Sequence, residues 1–128
     1  MMLIIGHPDI PFEPLHYVET VEEIAQTPPN ATLWLGPLKK AKPLAKHCQK
    51  NRLAYGVMAE SVNDALVANA LHARYILCAF DLAEQVQPIA ETYLFDAKIL
   101  VPVSEEAEME AVAQKGIDGV IFPQAITA

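Results

Sequence analysis

The sequence predicts an α/β protein built on a mostly parallel sheet, and three observations carry that prediction. Short, nearly all-apolar runs recur at residues 53–59, 75–79, 97–103 and 119–122, about 21 residues apart. Between them lie segments 61–72, 81–96 and 104–116, each opened by a residue able to cap a helix and each carrying helical periodicity. Runs such as 98–103 show no polar alternation, as in strands buried on both faces of a sheet. Strands alternating with helices of this length give a parallel sheet with helical crossovers. The expected form is an open sheet with helices on both faces, a three-layer sandwich of the Rossmann or flavodoxin kind. A half-barrel is the alternative, and its bare sheet face would then be hidden by dimerising. A complete eight-fold barrel needs roughly 200 residues or more, which a chain of 128 residues cannot supply.

The elements follow in order. Residues 2–6 read as a first buried strand. The loop 7–14 holds Pro8, Pro11 and Pro14, which lack backbone donors and fix φ, so it is stiff. Residues 15–18 suit a short strand, after which Thr20 and Glu23 have capping-box spacing. Pro28, Pro29 and Asn30 stop that helix, and 32–36 is the next strand. Pro43 is expected in the first turn of the following helix, where its missing N–H costs nothing. Ala41, Leu44, Ala45 and Cys48 form its inward stripe, with Lys39, Lys42, Lys46 and Lys50 opposite.

Ser61 with Asp64, and Asp81 with Glu84, place an N-cap and an acid three residues on; Ser104 precedes Glu105 and Glu106 at a third helix start. The expected inward stripes are Val62, Ala65, Leu66 and Ala70; then Leu82, Val86, Ile89 and Tyr93; then Met109, Val112 and Ala113. Pro88 should kink or interrupt its helix, and Gly116 suits a C′ position with φ > 0.

One domain with a real core fits this length. The longest apolar runs fall far short of a membrane span, and residues 1–5 are too short for a signal-peptide core. Cys48 and Cys78 form no CxxC pair, so two buried free thiols in a reducing cytoplasm are expected. The net charge of −7 marks an acidic protein and argues against nucleic acid as partner. Yet Lys39, Lys40, Lys42, Lys46, Lys50 and Arg52 fall within fourteen positions, and no Asp or Glu lies between Glu23 and Glu60. This basic segment, 39–52, reads as a solvated helix face or as a contact for an acidic protein surface.

Ligands of open parallel sheets bind beyond the carboxyl ends of the strands. The polar residues expected there are His7, Asp9, Glu60, Ser61, Asp81, Ser104, Glu105 and Gln124. Glu60, Asp81 and Glu105 are the catalytic candidates, because converging carboxylates serve as acid, base or cation ligands. His7, Asp9, Lys39 and Lys40 are the candidates for ligand binding. Capping alone equally explains Ser61, Asp81 and Ser104. His7, Asp9 and His16 have no recognised metal-ligand spacing, so no metal is assigned, and no phosphate-cradling glycine motif or nucleophile elbow implies a cofactor or a serine hydrolase.

Residues 98–125, KILVPVSEEAEMEAVAQKGIDGVIFPQA, run strand, capped helix, Gly, strand and terminal Phe-Pro. Together with the units from Tyr55 onward, this stretch resembles the βα units of phosphate-binding barrel aldolases of the 2-keto-3-deoxy-6-phosphogluconate type. That resemblance places Ile121 where those enzymes carry a Schiff-base lysine, and Lys98 lies at the opposite end of its own strand. It therefore implies shared fold units and argues against that activity. The sequence reading is a non-catalytic binding or self-associating module, a homodimer or a binder of another protein. The alternative is a small-molecule or metal-dependent hydrolase or lyase using the carboxyl edge.

Overall fold

A computed structural model of the chain describes residues 1–127. The strands are β1 (Leu3–Ile5), β2 (Leu15–Tyr17), β3 (Thr32–Pro37), β4 (Tyr55–Met58), β5 (Tyr75–Leu77), β6 (Lys98–Pro102), β7 (Gly119–Ile121) and β8 (Ile126–Thr127). The helices are α1 (Val21–Ile24), α2 (Leu38–Lys50), α3 (Val62–Ala70), α4 (Phe80–Thr92) and α5 (Met109–Gln114). Every pairing is parallel, in the order β1-β7-β6-β5-β4-β3-β2-β8. The α/β class and the parallel sheet are as the sequence predicts.

The strand order also dictates the sheet's shape. β7 is second and β8 eighth, six strand spacings apart, which in a flat sheet is about 29 Å at roughly 4.8 Å per strand. Yet only residues 122–125 separate them, and five Cα steps reach at most about 19 Å. The sheet therefore curls, and of the two expected forms the half-barrel is the one adopted. Buried side chains divide accordingly. Ile76, Ile99 and Val101 pack outward with the buried faces of α2, α3, α4 and α5. Ile5, Leu15, Leu77, Leu100 and Ile121 pack on the inner face with one another and with Ala125. The helices lie on the outer face, and a second helical layer does not form, because inward side chains from opposite strands fill the concavity themselves. That inner face is consequently not bare: Leu15, Leu77, Leu100 and Ile121 are each at most 2% exposed without a second subunit.

Several helices begin differently from the expectation. α2 starts directly after β3 with Pro37 at its N-cap, so Pro43 lies inside the helix rather than in its first turn. α4 starts at Phe80 behind Ala79, which leaves Asp81 in the first turn and not at the cap. α4 also runs on through Pro88 without interruption. Ser104 is not a cap either; a 3₁₀ turn at Glu106–Glu108 precedes α5, and Glu108 Oε1 accepts the N–H groups of Ser104 (2.8 Å) and Glu105 (2.9 Å). Thr20 and Glu23 form the reciprocal box, and Ser61 Oγ accepts from Asp64 N–H at 3.1 Å, as expected.

α2 buries the expected stripe. In α3 the buried positions are Asp64, Ala65 and Ala68, whereas Leu66 is exposed. In α4 they are Ala83, Val86, Gln87 and Ala90, and Tyr93 is exposed. In α5 Val112 is buried and Ala113 exposed. Small side chains face the sheet because they let the helix axis approach it closely, and the larger apolar groups fall on the flanks. Arg52, His72, Leu94 and Gly116 follow the C-caps of α2, α3, α4 and α5 with φ of 56°, 64°, 53° and 67°, in the left-handed region in each case.

Candidate functional site

Parallel strands bring all the candidate residues that follow them to one edge. His7 and Asp9 follow β1, Glu60 and Ser61 follow β4, Asp81 follows β5, Ser104 and Glu105 follow β6, and Gln124 follows β7. Glu60, Asp81 and Glu105 thus sit beyond three adjacent strands, all exposed, with no hydrogen bond between their side chains among the described residues. Glu60 and Glu105 contribute backbone N–H groups instead: Glu60 N–H donates to Asp64 Oδ2 at 3.0 Å, and Glu105 N–H to Glu108. The carboxylates that accept here, Asp64 and Glu108, hold helix starts together.

His7 is the most constrained polar group of this edge. Its Nδ1 accepts the N–H of Asp9 at 3.1 Å, so the ring hydrogen lies on Nε2, which faces Glu106 Oε2 at 2.9 Å. Its ring meets Phe122 edge-on, centroids 5.7 Å apart. Both nitrogens are engaged, and the residue pins the proline-rich loop to the segment after β6. Asp9 acts through its backbone, and its side chain is exposed. His16 lies elsewhere, its Nδ1 3.4 Å from Thr127 Oγ1. Among the described residues no three His, Cys, Asp or Glu side chains group as a metal site would require. Lys39 and Lys40 are exposed on α2; Lys40 borders a separate cleft of about 280 Å³ with Tyr17, Glu19 and Pro43.

A larger cleft, about 520 Å³, opens at the same edge between β4, β6, the start of α4 and α5. Met58, Phe80, Val101, Val103 and Val112 form its apolar wall, and Glu108 is its one ionisable group. The sequence does not single out Phe80 or Val103, since an apolar residue beside a strand end has the same pattern whether it fills the core or lines a cavity. Nor does it reveal Glu106 as the partner of His7, 99 positions away.

The thiols are not available for chemistry. Cys48 and Cys78 are free and buried, and burial pushes their pKa values up to about 11 and about 12. Ile121 is buried on the inner face and Lys98 is exposed at the opposite end of β6. Among the described residues no helix is long and apolar enough to cross a membrane. No protein-family model matches the chain, and no curated protein matches it.

Proposed function

We propose that the protein is a non-catalytic binding module, and that the cleft between β4, β6, the start of α4 and α5 takes a small, largely apolar molecule. The observation that carries this reading is the cleft's size and wall: about 520 Å³, bounded by Met58, Phe80, Val101, Val103 and Val112. That volume lies within the range of small-molecule sites, which are mostly apolar with few polar groups. Glu108, the one carboxylate present, is occupied by two backbone N–H groups and so marks the rim rather than supplying an acid or base. Two buried free thiols suit a reducing compartment such as the cytoplasm.

Native mass spectrometry beside the denatured mass tests for a retained ligand, and titration with the neutral fluorophore Nile red tests the cleft. Saturable binding that Ala111→Trp abolishes, with the Tm kept because Ala111 lines the cleft from an exposed position, is the expected result. Binding unaffected by that substitution, or none by either measurement, overturns it.

A second reading, self-association as a dimer, rests on a different observation. Lys39, Lys40, Lys42, Lys46 and Lys50 are exposed on α2, and among the described residues none forms an ion pair, in a protein of net charge −7. Such a face suits an acidic patch on a second copy or another protein. Sedimentation at low and high salt checks this: a dimer that dissociates with salt is expected, and a monomer under both conditions removes it.

A further inference from the structure

We infer that the opposite edge, at the amino ends of β3, β4 and β5, binds a small phosphate-bearing anion between Arg52 and Arg74. These are the only two arginines of the chain. Two adjoining clefts, about 370 and 300 Å³, share Arg52, Leu53, Ala54 and Arg74, and neither is lined by an Asp or Glu. In a protein with sixteen acidic residues that is a marked exclusion. Among the described residues neither guanidinium forms an ion pair.

Arg74 is held in place. Its Nη1 donates to Thr32 Oγ1 at 2.9 Å, so the side chain crosses the amino end of β4 from β5 to β3. Thr32 is buried, which fixes the anchor. A guanidinium has five N–H donors in a rigid fork, and this is the one hydrogen bond the Arg74 side chain makes among the described residues. Arg52 makes none with its side chain among them, and Asn30, Thr27 and His72 stand at the margins of the two clefts. Two forks facing a common space suit a tetrahedral dianion, which can accept from both.

Helix ends alone do not account for this pair. A cation at a helix C-terminus offsets the negative end of the dipole, and Arg52 follows α2. But the residues at the same station after α4 and α5 are Leu94 and Gly116, so the fold does not require charge there. Arg74 opens a strand and reaches sideways across another.

The test is calorimetric titration of the full chain with inorganic phosphate and with glycerol 3-phosphate at low ionic strength. Saturable one-to-one binding is expected, weakened at least about tenfold by Arg74→Gln and by Arg52→Gly. Arg52→Gly also relieves a left-handed residue, so its Tm should rise while its binding falls, which separates lost affinity from lost folding. Lys115→Gln removes one charge at the end of α5, outside the lining of both clefts, and should leave binding unchanged. Binding of glycerol 3-phosphate but not of inorganic phosphate would assign the site to an organic ester, and the reverse to the free ion. No binding of either, binding that survives both arginine substitutions, or equal weakening by Lys115→Gln overturns the inference.

Discussion

Replacing Leu94 by glycine should stabilise this protein, although it deletes an apolar side chain. Leu94 follows the C-cap of α4 with φ of 53°, in the left-handed region. A residue with a Cβ loses roughly 1.5 kcal/mol there, which glycine does not. Glycine costs about 0.7 kcal/mol more in conformational entropy on folding. The side chain is 83% exposed, so its removal forfeits only about 0.3 kcal/mol of burial. The net gain is about 0.5 kcal/mol. At about 2.1 cal/mol/K of unfolding entropy per residue, 128 residues convert this into a Tm rise of about 2 °C. Gly116→Ala is the mirror experiment. Its φ is 67°, and a Cβ there meets nothing within 4 Å, so only the backbone is tested. The same reasoning gives a loss of about 0.8 kcal/mol and a Tm lower by about 3 °C. Scanning calorimetry of both variants decides the matter. A lower Tm for Leu94→Gly together with an unchanged Tm for Gly116→Ala would refute the argument.

Three further outcomes follow from contacts already described or adjoining them. Gly119 pairs with Leu3, and a Cβ on it would overlap the Leu3 carbonyl oxygen and lie 2.7 Å from Leu3 Cβ; Gly119→Ala should therefore cost about 3 kcal/mol in urea unfolding by forcing β1 away. Buried Gln87 donates to Asp118 Oδ1 at 3.1 Å and accepts Asp118 N–H at 3.0 Å, while Asp118 Oδ2 accepts Ile99 N–H at 2.9 Å; Gln87→Ala strips two partners and should cost about 2 kcal/mol by the same measurement. The folded thiols hold their protons to about 11 and about 12 against an ordinary value of 9.0, so between those values the unfolded chain binds fewer protons and stability must fall as pH rises. Urea midpoints at pH 8 and pH 10.5 check this, and Cys48→Ala should flatten the slope.

The strands were legible because burial on both sides leaves uninterrupted apolar runs, as at Ile99, Leu100 and Val101. Capping at Thr20 and Ser61 was legible because it depends on neighbours three residues away. Which of the two expected forms the sheet takes was not, since curling depends on β8, two residues whose pairing with Leu15 and His16 has no local sign. In α3 and α4 the expected Ala65 and Val86 do face the sheet, but side-chain size does not signal burial there: Ala68, Ala83 and Ala90 also face it, and Leu66 and Tyr93 do not. At the site edges, Arg74 with Thr32 spans 42 positions and His7 with Glu106 spans 99, distances over which no periodicity operates.

The strand order has a consequence for how the chain assembles. Partners in the interior of the sheet are near in sequence: Gly56 pairs with Tyr75, and Leu100 with Gly119. Those units can zip one after another, as in a solenoid. The two closing ladders, Leu3 with Gly119 and Leu15 with Ile126, join segments more than a hundred residues apart and bear a far larger loop entropy. Pulsed hydrogen exchange should therefore find amides of β4, β5 and β6 protected first. β1 must wait for the far end of the chain, and β2, which can pair early with β3, gains β8 only then, leaving the apolar lining of the concavity open to water until the last step of folding.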